Sequence, residues 1–177
     1  IMNQSIAVVG AGICGLFTGL SLARKGFDVT LFERDVPPPE GNAEEAFFSW
    51  QRRGAAQFRH PHAFLGLMCS VLGEKYPDLL DEMIAAGARK LTFEDMVPDH
   101  LADQYQPEAG DEKLWMLLCR RATIETVLRY YVARESNLRI QSQTYVTDVL
   151  VEEGQSVQGE PTLTVTGLEL TDRHNQN

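Results

Sequence analysis

The sequence predicts an α/β fold: a central parallel sheet, helices on its faces and an antiparallel β-meander. An apolar run at residues 6–9 leads directly into a glycine-rich turn at residues 10–15, and a helical pattern follows over residues 14–25. A second strand is predicted at residues 29–32, and an acidic residue follows it directly. Strand, glycine turn, helix, strand and acid in this order form the βαβ unit that binds a dinucleotide. The sequence therefore predicts a nucleotide site at the start of the chain.

Each glycine of the turn has a separate role. Gly10 permits a tight turn out of the first strand, and Gly12 leaves room for a pyrophosphate to approach the N–H groups at the start of the helix. Gly15 lets that helix lie close to the sheet, and Gly19, one helical turn later on the same face, extends the close packing. A glycine pattern alone is also compatible with a structural turn that binds no nucleotide, so the prediction depends on the strands and helix around it.

Two charged residues follow the second strand. Glu33 stands 23 positions after Gly10, where these folds place the carboxylate that accepts both hydroxyls of an adenosine ribose. A carboxylate there disfavours a 2′-phosphate, which favours FAD or NAD over NADP. Arg34 weakens this exclusion, because a guanidinium group can bind a phosphate.

The rest of the chain adds helices and strands. Pro37, Pro38 and Pro39 exclude regular structure directly after the second strand. Apolar residues at helical spacing predict four more helices, at residues 44–50, 63–76, 77–87 and 123–134, of which the second and third form a hairpin. Apolar runs and alternation predict strands at residues 114–118, 138–140, 144–151 and 163–170. The strand at 138–140 is expected to be the third parallel strand, and the last two should pair antiparallel around a turn-rich segment at 152–161. Residues 91–107 are predicted to be extended structure with a loop.

Composition limits the classes of function. The 177 residues are enough for one domain with a small appendage, and the formal charge of −9 argues against binding to nucleic acid or to an anionic membrane surface. No apolar run approaches the ~20 residues that span a bilayer, and no signal peptide is recognisable, so a cytoplasmic location is the default expectation. Cys14, Cys69 and Cys119 lack the spacing of metal ligands, and we expect them to be buried reduced thiols.

Four segments together resemble the N-terminal part of flavin-dependent monooxygenases of the aromatic-hydroxylase and halogenase-like superfamily: residues 6–35, 57–62, 77–88 and 121–125. The resemblance implies a Rossmann-like FAD-binding domain over residues 1–172, with residues 173–177 as a disordered tail. It also implies that Gly10, Gly12 and Gly15 contact the FAD pyrophosphate and that Glu33 holds the adenosine ribose.

Two further FAD contacts are implied by the resemblance. Arg121 matches an arginine that reaches the ribose and pyrophosphate of FAD, with the neighbouring Arg120 as the rival candidate. Val146 matches a residue whose backbone meets the adenine edge, although a valine of the core is an equal alternative. Together with Arg34, these residues complete the predicted cofactor site. No residue is assigned to catalysis and none to a metal.

The resemblance implies a reaction but not its substrate. The family uses NAD(P)H to reduce FAD and O2 to oxygenate a small organic substrate. The Ala-Thr-Gly-type turn and the Gly-Asp motif that follow in the family are absent from this sequence. We therefore expect an incomplete FAD-binding domain that is inactive by itself and that could form a homodimer through an exposed sheet edge. An NAD-dependent oxidoreductase and a non-catalytic, truncated nucleotide-binding module are the alternatives.

Arg59, His60 and His62 form the remaining cluster of interest. Two histidines two positions apart could be acid–base groups or metal ligands, but no third ligand stands at a recognisable spacing. The resemblance places this segment near the flavin, which implies a role beside the cofactor or substrate. A structural loop with a helix-capping role is the alternative.

Overall fold

A computed structural model describes residues 4–155 and 160–172. The strands in this part of the chain are β1 (Ser5–Val9), β2 (Asp28–Phe32), β3 (Pro61–Phe64), β4 (Arg89–Thr92), β5 (Trp115–Arg120), β6 (Leu138–Gln141), β7 (Thr144–Gln155) and β8 (Pro161–Asp172). The α-helices are α1 (Ile13–Ala23), α2 (Ala43–Ser49), α3 (Gly66–Lys75), α4 (Pro77–Ala85), α5 (Asp99–Ala102) and α6 (Arg121–Val132). The fold is mixed α/β and forms two compact units.

The first unit comprises residues 1–37, 51–54 and 135–177. Its sheet has the order β1-β2-β6, and all three strands are parallel. The predicted three parallel strands are therefore confirmed. Among the described residues, β1 and β6 are the edge strands of this sheet; association of two copies through such an edge stays a prediction.

Helix α1 lies against this sheet at very short range. A Cβ atom added to Gly15 would lie 1.9 Å from the carbonyl oxygen of Gly10, and one added to Gly19 would lie 2.8 Å from Leu31 Cδ1. Leu16 and Leu20 are fully buried on the same face. The helix can approach this closely only because glycine has no side chain, as the sequence predicts.

The antiparallel ribbon of β7 and β8 begins beside the end of β2. The backbone N–H of Thr144 donates to Glu33 O at 3.0 Å, and that of Gln143 donates to Asp35 O at 3.2 Å. The predicted antiparallel pairing is confirmed, and it extends along both strands from Thr144↔Asp172 to Gln155↔Pro161. It runs further than predicted, since Glu152 and Glu153 continue the strand. Residues 156–159, within the predicted turn, and the predicted tail at 173–177 lie outside the described residues.

The second unit comprises residues 38–50 and 55–134. It contains the antiparallel sheet β3-β5-β4 and the helices α2 to α6. The predicted helical hairpin is present as α3 and α4, and α3 packs against β5 while α6 packs against α2 and α4. The fully buried apolar side chains of this unit include Leu72, Leu79, Met83, Leu117, Ile124 and Leu128.

Two predictions were wrong in this unit. The helix predicted over residues 63–76 begins only at Gly66, because Pro61–Phe64 is a strand whose backbone pairs with β5. Gly66 has a φ of +42°, and this left-handed turn separates strand from helix. The segment predicted as extended with a loop also contains α5 and a 3₁₀ helix at Glu94–Met96. Within the described residues, no helix has the length and apolar character needed to cross a membrane.

Candidate functional site

The glycine turn presents the open N-terminus of α1. Gly10 has a φ of +94°, which favours glycine, and Gly12 is the N-cap with extended backbone. The N–H groups in the first turn of a helix have no intrahelical acceptor. No side chain caps this helix and its first turn contains no acidic residue. The positive end of the helix dipole is therefore left for an anion, such as a pyrophosphate.

Glu33 joins this turn to the end of β2. Its carboxylate is buried, at 5% exposure, and accepts hydrogen bonds from Ala11 N at 2.9 Å and from Asp35 N at 3.0 Å. Arg52 Nη1 lies 3.0 Å from the same oxygen that accepts from Ala11. The residue predicted to hold the ribose thus also holds the glycine turn in place.

Asp35 and Gly54 complete the cluster around Arg52. Arg52 Nη1 donates to Asp35 Oδ2 at 3.0 Å, and Gly54 N donates to the same oxygen at 3.0 Å. The Arg52 side chain is 3% exposed. The cluster places two carboxylates and one guanidinium group in the interior of the first unit, beside the glycine turn.

These contacts change the pKa of Glu33. Burial opposes ionisation of the carboxyl group, but the hydrogen bond from Asp35 N, the charge of Arg52 and the hydrogen bond from Ala11 N outweigh it. The pKa of Glu33 therefore lies below its ordinary value of 4.5. Glu33 is an ionised acceptor at neutral pH, as the binding of ribose hydroxyls requires.

The lowered pKa predicts a loss of stability in acid. A carboxylate with a lower pKa in the folded than in the unfolded state stabilises the fold above its unfolded pKa, and this contribution disappears as the pH falls through the folded pKa. We expect the unfolding free energies of wild type and Glu33→Gln to differ at about pH 7 and to converge towards about pH 3. Urea denaturation of both proteins across this range measures the difference. A difference that is constant with pH would contradict the prediction.

A cleft lies beside the cluster in the first unit. Its volume is about 370 Å³, and it is lined by Asp35, Val36, Gln51, Arg53 and Tyr145. Small-molecule sites begin at about 300 Å³. The adjacent Val146 is half-buried and directly precedes a β-bulge in β7. Its predicted contact with adenine stays a prediction.

Arg34 is exposed and lies beside the cluster. A Cβ atom added to Gly54 would be 3.4 Å from Arg34 Nη2 and 3.4 Å from Asp35 Oδ2. The guanidinium group of Arg34 therefore lies near the carboxylate of Asp35. Its predicted contact with a phosphate stays a prediction.

Arg121 and its rival Arg120 belong to the second unit. Arg121 is the first residue of α6, and its Nε donates to Glu125 Oε1 at 2.8 Å. Arg120 pairs with Glu44 at 2.7 Å and lies 4.4 Å above the ring of Phe47. Both arginines have acidic partners within their own unit, and the predicted FAD contact of Arg121 stays a prediction.

Arg59 has the contacts of a helix cap. Its Nε and Nη2 donate to the carbonyl oxygens of Phe47 and Phe48, both at 3.0 Å, at the C-terminal end of α2. His60 O accepts from Arg121 N, and His62 lies in β3 opposite Cys119. These contacts are those expected of the structural alternative. Within residues 4–155 and 160–172, no group of three or more potential ligands could hold a metal ion.

The cysteine prediction was correct for two of three thiols. Cys69 and Cys119 are buried and unpaired, and burial raises the pKa of both. Cys14 is exposed. It occupies the second position of α1, on the side turned away from the sheet that buries Leu16 and Leu20. The apolar character of its neighbours in sequence did not reveal this orientation.

Arg52 is the site residue that the sequence did not reveal. It stands in a loop as one of two adjacent arginines, and nothing in that pattern separates a buried arginine from an exposed one. The one available signal was the pair of acids, Glu33 and Asp35, at the end of a buried strand. Two carboxylates at such a place require a cation if they are buried.

The turn, the helix N-terminus and the buried carboxylate are the features of a dinucleotide-binding βαβ unit, and the protein that carries them is mixed α/β. The model of the DAO family, FAD dependent oxidoreductase, matches residues 5–47, which contain all three features. The predicted resemblance to FAD-dependent oxidoreductases is confirmed by this match and by the solved structures that share the fold.

Curated relatives match a part of the chain. The NAD-dependent dihydropyrimidine dehydrogenase subunit PreT of Escherichia coli is 35% identical over 60 residues, which is 34% of this chain and 12% of PreT. The tRNA-modifying bifunctional protein MnmC of Psychrobacter sp. is 49% identical over 35 residues, which is 20% of this chain and 5% of MnmC. The matched part is thus a small fraction of each relative.

Solved structures match nearly the whole chain. A probable FAD-dependent monooxygenase, PqsL of Pseudomonas aeruginosa, has a TM-score of 0.59 at 13% identity, over 95% of this chain and 38% of PqsL. The p-nitrophenol 4-monooxygenase PnpA of Pseudomonas putida has a TM-score of 0.55 at 17% identity, over 90% of this chain and 39% of PnpA. At these identities the likeness shows the fold. The chain spans less than half the length of each of these proteins.

Proposed function

We propose that this chain is the FAD-binding portion of a flavin-dependent oxidoreductase, with a Rossmann-like arrangement of the first unit. The observation that carries the proposal is the hydrogen bond from Ala11 N to Glu33 Oε2, which joins the glycine turn to a buried, ionised carboxylate. In a dinucleotide site the turn faces the pyrophosphate and the carboxylate faces the ribose. The family match over residues 5–47 supports FAD as the nucleotide.

The reaction we propose is oxygenation of a small organic substrate with NAD(P)H as electron donor. A bound flavin would supply the redox chemistry, and this chain would supply binding and orientation. Gly10, Gly12 and Gly15 would receive the pyrophosphate and Glu33 the ribose. Arg34, Arg121 and Val146 complete the proposed contacts. The fold shared with PqsL and PnpA supports a monooxygenase.

The chain by itself is expected to hold FAD weakly and to lack turnover. It spans 38% of PqsL and 39% of PnpA, so most of the length of each of these enzymes has no counterpart in it. A dinucleotide that contacts only part of its site loses much of its binding free energy.

A second candidate is an NAD-dependent oxidoreductase. The match to PreT, a protein described as NAD-dependent, favours this alternative. FAD and NAD share the ADP half, so both would use Glu33 in the same way. A non-catalytic module that binds ADP is the third candidate.

Titration with ADP, FAD and NAD, followed by melting temperature, separates these candidates. A ligand that binds only the folded state stabilises it by about 2.7 kcal/mol at a hundredfold excess over its Kd. We expect ADP and FAD to raise the melting temperature more than NAD does. Stabilisation by NAD above FAD would favour the second candidate, and no response to any of the three would contradict a nucleotide site.

Cys14 offers a local control for the same titration. It is exposed in the first turn of α1, whereas Cys69 and Cys119 are buried. One thiol should therefore react quickly with a thiol reagent, and ADP should slow that reaction. In Cys14→Ala the fast phase should be absent. A ligand that raises the melting temperature without protecting Cys14 binds elsewhere.

A further inference from the structure

A buried cation lies beside the nucleotide site and has no role in the prediction from sequence. The Arg52 side chain is 3% exposed, and arginine is almost never buried this deeply unless it is paired. Its Nη1 atom lies 3.0 Å from Glu33 Oε2 and 3.0 Å from Asp35 Oδ2. One nitrogen therefore bridges two buried carboxylates that are two residues apart.

The bridge favours the ionised form of Glu33. Burial opposes ionisation of this carboxyl group, and the charge of Arg52, whose Nη1 lies 3.0 Å from Oε2, acts against it by lowering the pKa. Arg34 and Arg53 also lie near Asp35, but both are exposed, so water screens their charge. Arg52, by contrast, is buried and in direct contact with both Glu33 and Asp35.

The bridge also fixes the orientation of Glu33. Ala11 N and Arg52 both contact Oε2, while Asp35 N contacts Oε1, and these three directions define the plane of the carboxylate. A hydrogen bond to a charged acceptor is roughly twice as strong as one between neutral groups. A neutral or rotated Glu33 would therefore recognise a ribose hydroxyl poorly.

We propose that Arg52 is the positioning residue for ribose recognition: it keeps Glu33 ionised and oriented, so that the site selects nucleotides with a free 2′-hydroxyl. This inference rests on the proposed function and adds Arg52 and Asp35 to the residues that determine selectivity. The three side chains carry a net charge of −1, which also disfavours a 2′-phosphate. Arg52 acts through Glu33 and need not touch the nucleotide.

Calorimetric binding of ADP and 2′-deoxy-ADP tests this role. The two ligands differ only in the 2′-hydroxyl, which would donate a hydrogen bond to Glu33. We expect wild type to bind ADP about tenfold or more tightly than 2′-deoxy-ADP. This ratio of the two affinities should be the same from about pH 5 to about pH 8. In Arg52→Gln, which keeps a donor but removes the charge, the ratio should fall towards one as the pH decreases, because Glu33 takes up a proton. Arg52→Lys should restore much of the preference at low pH.

The controls separate positioning from loss of structure. Arg52→Met removes both donor and charge; should it fail to fold, Arg52→Gln and Arg52→Lys decide the question. Arg24→Met breaks an exposed pair with Glu135 in the same unit and should leave the ratio and its pH profile unchanged. A folded Arg52→Gln with the wild-type ratio at every pH would overturn the inference alone. A wild-type chain that binds no ADP would instead refute the proposed function.

Discussion

Replacing Gly15 with alanine is expected to abolish nucleotide binding and to lower the melting temperature by about 10 °C. The added Cβ atom would lie 1.9 Å from the carbonyl oxygen of Gly10, which is backbone and cannot rotate away. Helix α1 would have to move away from the glycine turn, and overpacking of this kind costs about 3 kcal/mol. For a chain of this length, each kcal/mol shifts the melting temperature by about 2–4 °C. Thermal unfolding followed by circular dichroism, with and without ADP, measures both effects.

Gly73 provides the matched control. It lies in an exposed part of α3, where an added Cβ would meet only Trp115 Cζ2 at 3.7 Å, an ordinary contact. Gly73→Ala should therefore raise stability by about 0.5–1 kcal/mol, since alanine favours helix over glycine. Equal melting temperatures for Gly15→Ala and wild type would show that α1 does not lie on the turn as described.

Glu33→Ala is expected to destabilise the first unit by about 3–5 kcal/mol. The change removes the acceptor of Ala11 N and Asp35 N and leaves Arg52 with one carboxylate partner fewer in a buried site. Loss of one partner of a buried ion pair costs this much because the remaining charge stays desolvated. ADP binding should be lost as well. Urea denaturation and calorimetry on the same samples measure both changes.

The comparison variants for Glu33 separate its charge from its position. Glu33→Gln keeps the shape and one acceptor and should be less destabilising than Glu33→Ala. Glu135→Ala removes the acid of an exposed pair with Arg24 and should cost less than about 1 kcal/mol. If Glu33→Ala lowered the free energy of unfolding as little as Glu135→Ala does, the cluster of Glu33, Asp35 and Arg52 would not be what holds the glycine turn in place.

The βαβ unit at the start of the fold was predictable because local geometry determines which residue can occupy each of its key positions. Gly10 needs a positive φ, Gly15 and Gly19 need close contact, and Glu33 follows a strand whose last four residues include three apolar ones. These constraints act over short stretches of chain, so the sequence pattern carries them. The three parallel strands and the antiparallel ribbon follow from the same kind of signal.

Long-range pairing was harder to predict. The segment at Phe64 has helical spacing but lies in a strand, because β5 supplies hydrogen-bond partners more than 50 residues away. Arg52 lies 17 residues from Asp35 and 19 from Glu33, and its burial depends on that contact. Both outcomes depend on contacts between segments that are distant in the chain. A local sequence pattern does not show which distant segments come into contact.

The ribbon of β7 and β8 has a gradient of local stability along its length. At one end Thr144 is 2% exposed and donates to Glu33 O, while further along Val149, Leu150 and Val151 are each about half exposed. A two-stranded ribbon is marginal in water by itself, so its amides exchange with solvent by local opening. Exchange should be slowest at Thr144 and fastest towards Gln155. Because Thr144 is bonded to Glu33, a nucleotide held at Glu33 would slow exchange at the anchored end and leave the distant end unaffected.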